Sequence, residues 1–147
     1  MLDDNVVFKV VTYGSPEYIA ATALRQAVLR TPLGLTFQPE ELAQEKDHIH
    51  VVGLQGSDML ATASLVPEGE YCKMQRVAVK ENLRGSGLGS QMVKFCEAYA
   101  KSEGFEWIYC HARDSAVNFY LKNQYTTEGD YFEKCTIPHI LMKKFLR

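Results

Sequence analysis

Val77-Ala78-Val79-Lys80-Glu81-Asn82-Leu83-Arg84-Gly85-Ser86-Gly87-Leu88-Gly89-Ser90 joins a strand to a helix. Upstream, Tyr71 to Val79 alternates like a strand, with Cys72, Met74, Arg76 and Ala78 opposed to Tyr71, Lys73, Gln75, Val77 and Val79. Downstream, Leu88, Met92, Phe95, Cys96, Tyr99 and Ala100 recur at helical intervals until Gly104 supplies a left-handed stop. Glycines at alternate positions of the loop remove Cβ atoms that would hold a ligand off the main chain. A helix starting there points unpaired N–H groups and its positive dipole end at an anion. That geometry suits a pyrophosphate.

Spacing separates the phosphate motifs that compete for this loop. A P-loop requires Gly-Lys, a pair absent from the chain. A dinucleotide fold requires Gly-x-Gly-x-x-Gly, and Ser90 stands where the third glycine would be needed. What remains is Arg84-x-x-Gly87-x-Gly89.

Working outward, Val6 to Tyr13 reads as a first strand, and Ser15 as the N-cap of a helix with Pro16 in its first turn. Ile19, Ala23 and Ala27, with Leu24 and Val28, recur as that helix's apolar stripe up to Arg30, and Thr31 to Gly34 ends it. Phe37-Gln38-Pro39-Glu40 begins a shorter acidic helix to Glu45. His48 to Leu54 and Met59 to Pro67 form a hairpin, and with Tyr71 to Val79 an antiparallel meander. Trp107 to Ala112 is the next strand, Asp114 or Ser115 caps a helix to Asn123, and Tyr125 to Thr127 and Ile140 to Leu146 complete the order. The pattern is α+β, one domain over residues 1–147 without linker or repeat.

The 147 residues are 46% hydrophobic and 23% charged, as in an ordinary folded domain. A formal net charge of -2 provides no global field for nucleic acid. No run approaches the roughly 18 apolar residues of a membrane span, and the N-terminus lacks a signal-peptide pattern, so a cytoplasmic protein is expected. Cys72, Cys96, Cys110 and Cys135 are widely spaced, which predicts reduced thiols and no metal site.

The Arg84-x-x-Gly87-x-Gly89 pattern resembles the Gln/Arg-x-x-Gly-x-Gly/Ala motif of the GNAT superfamily of N-acetyltransferases. Asn118-Phe119-Tyr120 and the residues around it, Cys110 to Tyr125, resemble that family's Asn-x-x-Ala-x-x-Phe-Tyr-x-x-x-Gly-Phe segment, with Gln124-Tyr125 in place of Gly-Phe. Glu133-x-x-x-Ile137-Pro138-His139-x-x-Met142 is similar to the ending of an ElaA-like branch, whose start Leu24 to Gly34 and His50 also resemble. The resemblance implies a mixed sheet of six to seven strands flanked by about four helices. It also implies that amides of Arg84, Gly85, Ser86, Gly87, Leu88, Gly89 and Ser90 hold the pyrophosphate of acetyl-CoA. Val77, Ala78 and Val79 would carry the pantetheine arm, as an added strand pairs with an edge.

Acetyl transfer to an amine needs a neutral nitrogen, a place for the oxyanion and a proton for the departing thiolate. Tyr120 follows Phe119 on a short helix, so the two side chains diverge by about 100° and Tyr120 is expected to leave the core and face the cofactor. The family assigns the acid role to this position. Asn118 binds pantetheine or solvates a helix face. Glu70, His111, Glu133, His139 or a bound water supplies the base. Glu133 and His139 are expected at the border of the acceptor pocket, where a carboxylate attracts a cationic amine. The expected activity is acetylation of a small-molecule, peptide or protein amine, possible as a homodimer. A CoA-binding module without turnover, and a transferase for another acyl-CoA, are the alternatives.

Overall fold

In the computed structural model, which describes residues 5–146, the Ser15 hydroxyl accepts the Tyr18 N–H at 3.2 Å. It thereby starts α1 (Pro16–Arg25) where the cap sequence predicts. The elements that follow are α2 (Pro39–Ala43), α3 (Leu88–Ser102) and α4 (Val117–Lys122), set against β1 (Val6–Val11), β2 (Ile49–Gln55), β3 (Asp58–Glu68), β4 (Tyr71–Val79), β5 (Trp107–Arg113), β6 (Thr126–Lys134) and β7 (Ile137–Phe145). The seven strands make one mixed sheet in the order β1-β2-β3-β4-β5-β7-β6. Every neighbouring pair is antiparallel except β4 with β5. Among the described residues no helix is long and apolar enough to cross a membrane. All four cysteines are free thiols, three of them buried.

Both faces of the sheet centre are covered, so β3 is buried continuously from Leu60 to Leu65. Val51, Ala61, Ala63 and Leu65 join Leu88, Met92, Val93 and Cys96 of α3 in the main core. The opposite face, carrying His50, Thr62 and Ser64, meets α1 through a polar layer. Tyr18, Ala21 and Arg25 are the buried positions of α1, whereas Ile19 is 61% exposed and Ala23 and Ala27 are also exposed. The expected apolar stripe therefore faces outward, because the layer beneath α1 is built from ionic partners.

Glu45 is the hub of that layer. Its carboxylate accepts from Tyr18 Oη at 2.8 Å, from the Arg25 guanidinium, and from Arg76 Nε at 3.4 Å. Its carbonyl accepts from His50 Nε2 at 2.8 Å, and His50 Nδ1 lies 3.3 Å from Ser64 Oγ. Arg25, Arg30 and Arg76 all lie over the Phe37 ring. Burial raises the Glu45 carboxyl, but Arg25, Tyr18 and Arg76 together outweigh it and hold the group below its ordinary value.

Two departures from the expected elements have local causes. Residues Gln26–Arg30 form a π-helical turn, so the first helix widens before it ends. The last two strands are nine residues each, longer than the expected 125–127 and 140–146. All of β6 is exposed, so no apolar run marks it. Its hairpin turns through Cys135 (φ 52°) and Thr136 (φ 64°), a two-residue turn with both central φ positive but without the usual Asn-Gly signal.

Gln124 (φ 74°) occupies the left-handed position after α4, with Tyr125 N–H bonded to the Tyr120 carbonyl and Gln124 N–H to that of Leu121. This is the helix stop that glycine usually provides. Gln124→Gly should raise stability by about 1 kcal/mol, since the left-handed penalty of an L residue exceeds glycine's added chain entropy. Chemical denaturation reads the change.

The Glu45 layer makes a sharper prediction. Hydrogen bonding from Arg30 brings Glu41 down to about 2, and Glu45 is likewise lowered from 4.5. Unfolded carboxyls titrate near their ordinary value, so this stabilisation is complete above about pH 4.5 and is lost on acidification toward 2. The thermal midpoint should fall through that window. Glu45→Gln, which strands Arg25, should cost about 3–5 kcal/mol and flatten the acid limb.

Candidate functional site

β4 and β5 pair over only three residues, Tyr71 to Lys73 against Trp107 to Tyr109, and then part. β3 stays with β4 by a bulge between Thr62 and Ser64, opposite which Arg76 takes a left-handed φ of 54°. β5 stays with β7 along its whole length. The parting leaves a cleft with unpaired strand edges on both sides, and two cavities occupy it.

The larger cavity, about 650 Å³, is bounded by Val77 to Val79, Leu83 to Gly85, Gly87, Gly89, Ser90 and Phe119. Gly85 (φ 82°) and Gly87 (φ 87°) are left-handed, and a Cβ on either would project into open space. Gly89 is small for another reason: a Cβ there would meet the Phe119 ring at 3.3 Å. The start of α3 leaves the amides of Leu88, Gly89 and Ser90 without intrahelical acceptors. A diphosphate fits a cradle of this kind.

The loop's other predicted contacts divide. Ala78, Arg84 and Ser90 line the cavity, and Ser90 Oγ also accepts from Asn123 Nδ2 at 3.2 Å. The Ser86 hydroxyl turns back to the Leu83 carbonyl, and the Leu88 side chain is fully buried in the core, leaving only its amide for a ligand. Asn118 is exposed on α4 and outside the cavity lining.

The smaller cavity, about 160 Å³, lies between Lys73 to Val77, Cys110 to Arg113, Lys134, Cys135 and His139. Leu29, Val77, Arg113, Ala116 and Tyr120 line both cavities. The π-helical turn delivers Leu29 and Arg30 to the cleft, where Arg113 Nη2 donates to the Leu29 carbonyl at 3.0 Å.

Tyr120 does not leave the core as its helical position suggests. It is only 6% exposed, more buried than Phe119, and reaches the cleft from inside. Burial, with Cys110 beside it, pushes its phenol well above 10. Burial pushes the Cys110 thiol up to about 12 in the same wall.

Of the base candidates, His111 and His139 line the smaller cavity, whereas Glu70 and Glu133 do not and are exposed. His139 donates through Nδ1 to the Ile137 carbonyl at 2.8 Å, which leaves Nε2 as its basic nitrogen. Among the described residues the buried His111 Nδ1 has no hydrogen-bond partner, and burial with Lys73 and Lys134 nearby lowers this imidazole to about 4. Among the described residues no carboxylate lines the smaller cavity. Lys73, Arg76, Arg113 and Lys134 stand there instead, and only the alternation of Lys73 with its strand neighbours hinted at them.

Comparison with known proteins accords with this arrangement. A Bacillus subtilis (strain 168) protein assigned by name to the acetyltransferases is 30% identical over 95 residues, 65% of this chain. The chain spans 65% of that relative's length. The crystal structure of Escherichia coli ElaA superposes with a TM-score of 0.81 at 21% identity, covering 95% of this chain and 99% of that one. An aminoglycoside 6'-N-acetyltransferase complexed with coenzyme A superposes with a TM-score of 0.80 at 14% identity, covering 96% and 97%. Those two likenesses establish the fold. The sequence profile of the acetyltransferase (GNAT) family matches residues 19–125, and the chain belongs to that family.

Proposed function

We propose that the chain transfers the acetyl group of acetyl-CoA to a primary amine, on a small molecule, peptide or protein, by direct attack. The observation that carries this reading is Tyr120 in the wall common to the glycine cradle and the smaller cavity. Amides of the Arg84–Ser90 loop would hold the diphosphate, and the free edge at Val77 to Val79 the pantetheine arm. The cosubstrate supplies an activated acyl carbon: a C–N bond forms, the C–S bond breaks, the thiolate gains one proton and the amine nitrogen loses one.

Tyr120 is suited to give the proton. A raised phenol is protonated at every working pH. A sulfur anion beside it would share the environment that raises Cys110 to about 12, so a thiolate formed there is a stronger base than in water. The smaller cavity is suited to prepare the nucleophile. Burial and neighbouring cations lower Lys73 and Lys134, and the same field would lower an entering ammonium toward its neutral, reactive form. The neutral imidazole of His139, or a water, would take the proton; His111, lowered to about 4, is a weak base at neutral pH.

Tyr120→Phe tests the acid. In an assay of CoA release with an accepted amine, turnover should drop by about 10²–10⁴-fold while CoA affinity by calorimetry stays nearly constant. Unchanged turnover would remove Tyr120 from the chemistry, and absence of any CoA binding would remove the cosubstrate. The pH profile of kcat should rise along a limb lying below the free amine's pKa, about 10.4 for a lysine-like acceptor.

A further inference from the structure

We propose that the amine acceptor of this chain carries an anionic group, a carboxylate or phosphate, close to the nitrogen that is acylated. This rests on the transferase reading above and names the acceptor's chemical class.

Among the described residues no aspartate or glutamate lines the smaller cavity, whereas Arg30, Lys73, Arg76, Arg113 and Lys134 all contribute positive charge. The whole chain has a formal net charge of -2, so this is local segregation and not the surface of a basic protein. Two of the five are already matched. Arg30 pairs with Glu41 at 3.0 Å, and Arg76 with Glu45 at 3.4 Å. Among the described residues Lys73, Arg113 and Lys134 make no ion pair. Glu68, the acid that acts on Lys73, is engaged by the Tyr109 hydroxyl at 2.6 Å.

The crowding of like charge weakens each group's hold on its proton. Burial is the largest cause lowering Lys73, Arg113 and Lys134, and other cations add to it: Arg76 at Lys73, Arg30 and Arg84 at Arg113, Lys73 and Arg76 at Lys134. Gathering like charges in a half-buried cavity costs stability unless a ligand offsets it. A cationic acceptor such as a diamine would add to the repulsion, and an anionic one relieves it. The volume, about 160 Å³, corresponds to about five waters and admits a small end group.

The test is a panel of matched acceptors with acetyl-CoA: 4-aminobutyrate against its amide, aminoethyl phosphate against ethanolamine, and 1,4-diaminobutane. The anionic member of each pair should lead in kcat/KM by on the order of tenfold, with the diamine last. Lys134→Glu should abolish that preference and Lys134→Arg retain it, both with acetyl-CoA KM unchanged. Equal use of charged and neutral members, or a preference indifferent to Lys134→Glu, overturns the inference. So does a charge effect confined to the acyl donor, seen as Lys134→Glu weakening succinyl-CoA but not the anionic amine.

Calorimetry on the CoA-loaded protein separates this inference from the transferase reading. Selective binding of the anionic members without turnover supports the anion site and removes the enzyme. Absent or unselective binding overturns the site, whether or not acetylation is seen.

Discussion

Among the described residues three pairs of parallel strand hold β4 to β5, and that early release opens the cleft. A sheet broken at its centre would ordinarily expose backbone groups at a cost, since each unpaired N–H or carbonyl must find water or a partner. Here the outer strands keep their own pairings, so the two halves of the sheet remain intact while the gap widens. The bulge at Arg76 is the local means. One extra residue on β4 turns the strand away from β5 and spends a left-handed φ on a non-glycine residue to do so.

The gap's two ends then differ in character. One is backbone: glycines and the start of α3, whose amides suit an anion and survive most substitutions. The other is side chains drawn from β4, β5, the β6–β7 turn and the π-helical turn. Between them stands the phenol of Tyr120, anchored in the core and therefore held in a rigid position.

The glycine end was legible in the sequence because its determinants are contiguous. Residues 77 to 90 carry strand, loop and helix start in one stretch, and the helix stop at Gly104 is equally local. The cationic end was not, because its residues are scattered from Arg30 to Lys134 and meet only through the sheet order. The buried face of α1 does not show as an apolar stripe, since two of its three buried positions, Tyr18 and Arg25, are polar ones serving Glu45. The full length of the last hairpin is hidden in the sequence because an all-exposed strand and a Cys-Thr turn lack the usual patterning. Gln124 shows the converse: the motif's glycine is gone, yet the hydrogen bonds of the helix stop impose its conformation.

Arg76 belongs to two accounts at once. It lines the smaller cavity, and it also leans on the buried carboxylate that fastens α1 to the sheet. Divergence of substrate choice among descendants of this chain cannot easily pass through it, because altering its charge disturbs the scaffold. Lys73 and Lys134, which make no ion pair among the described residues, leave the lineage freer ground on which to change the lining of the smaller cavity.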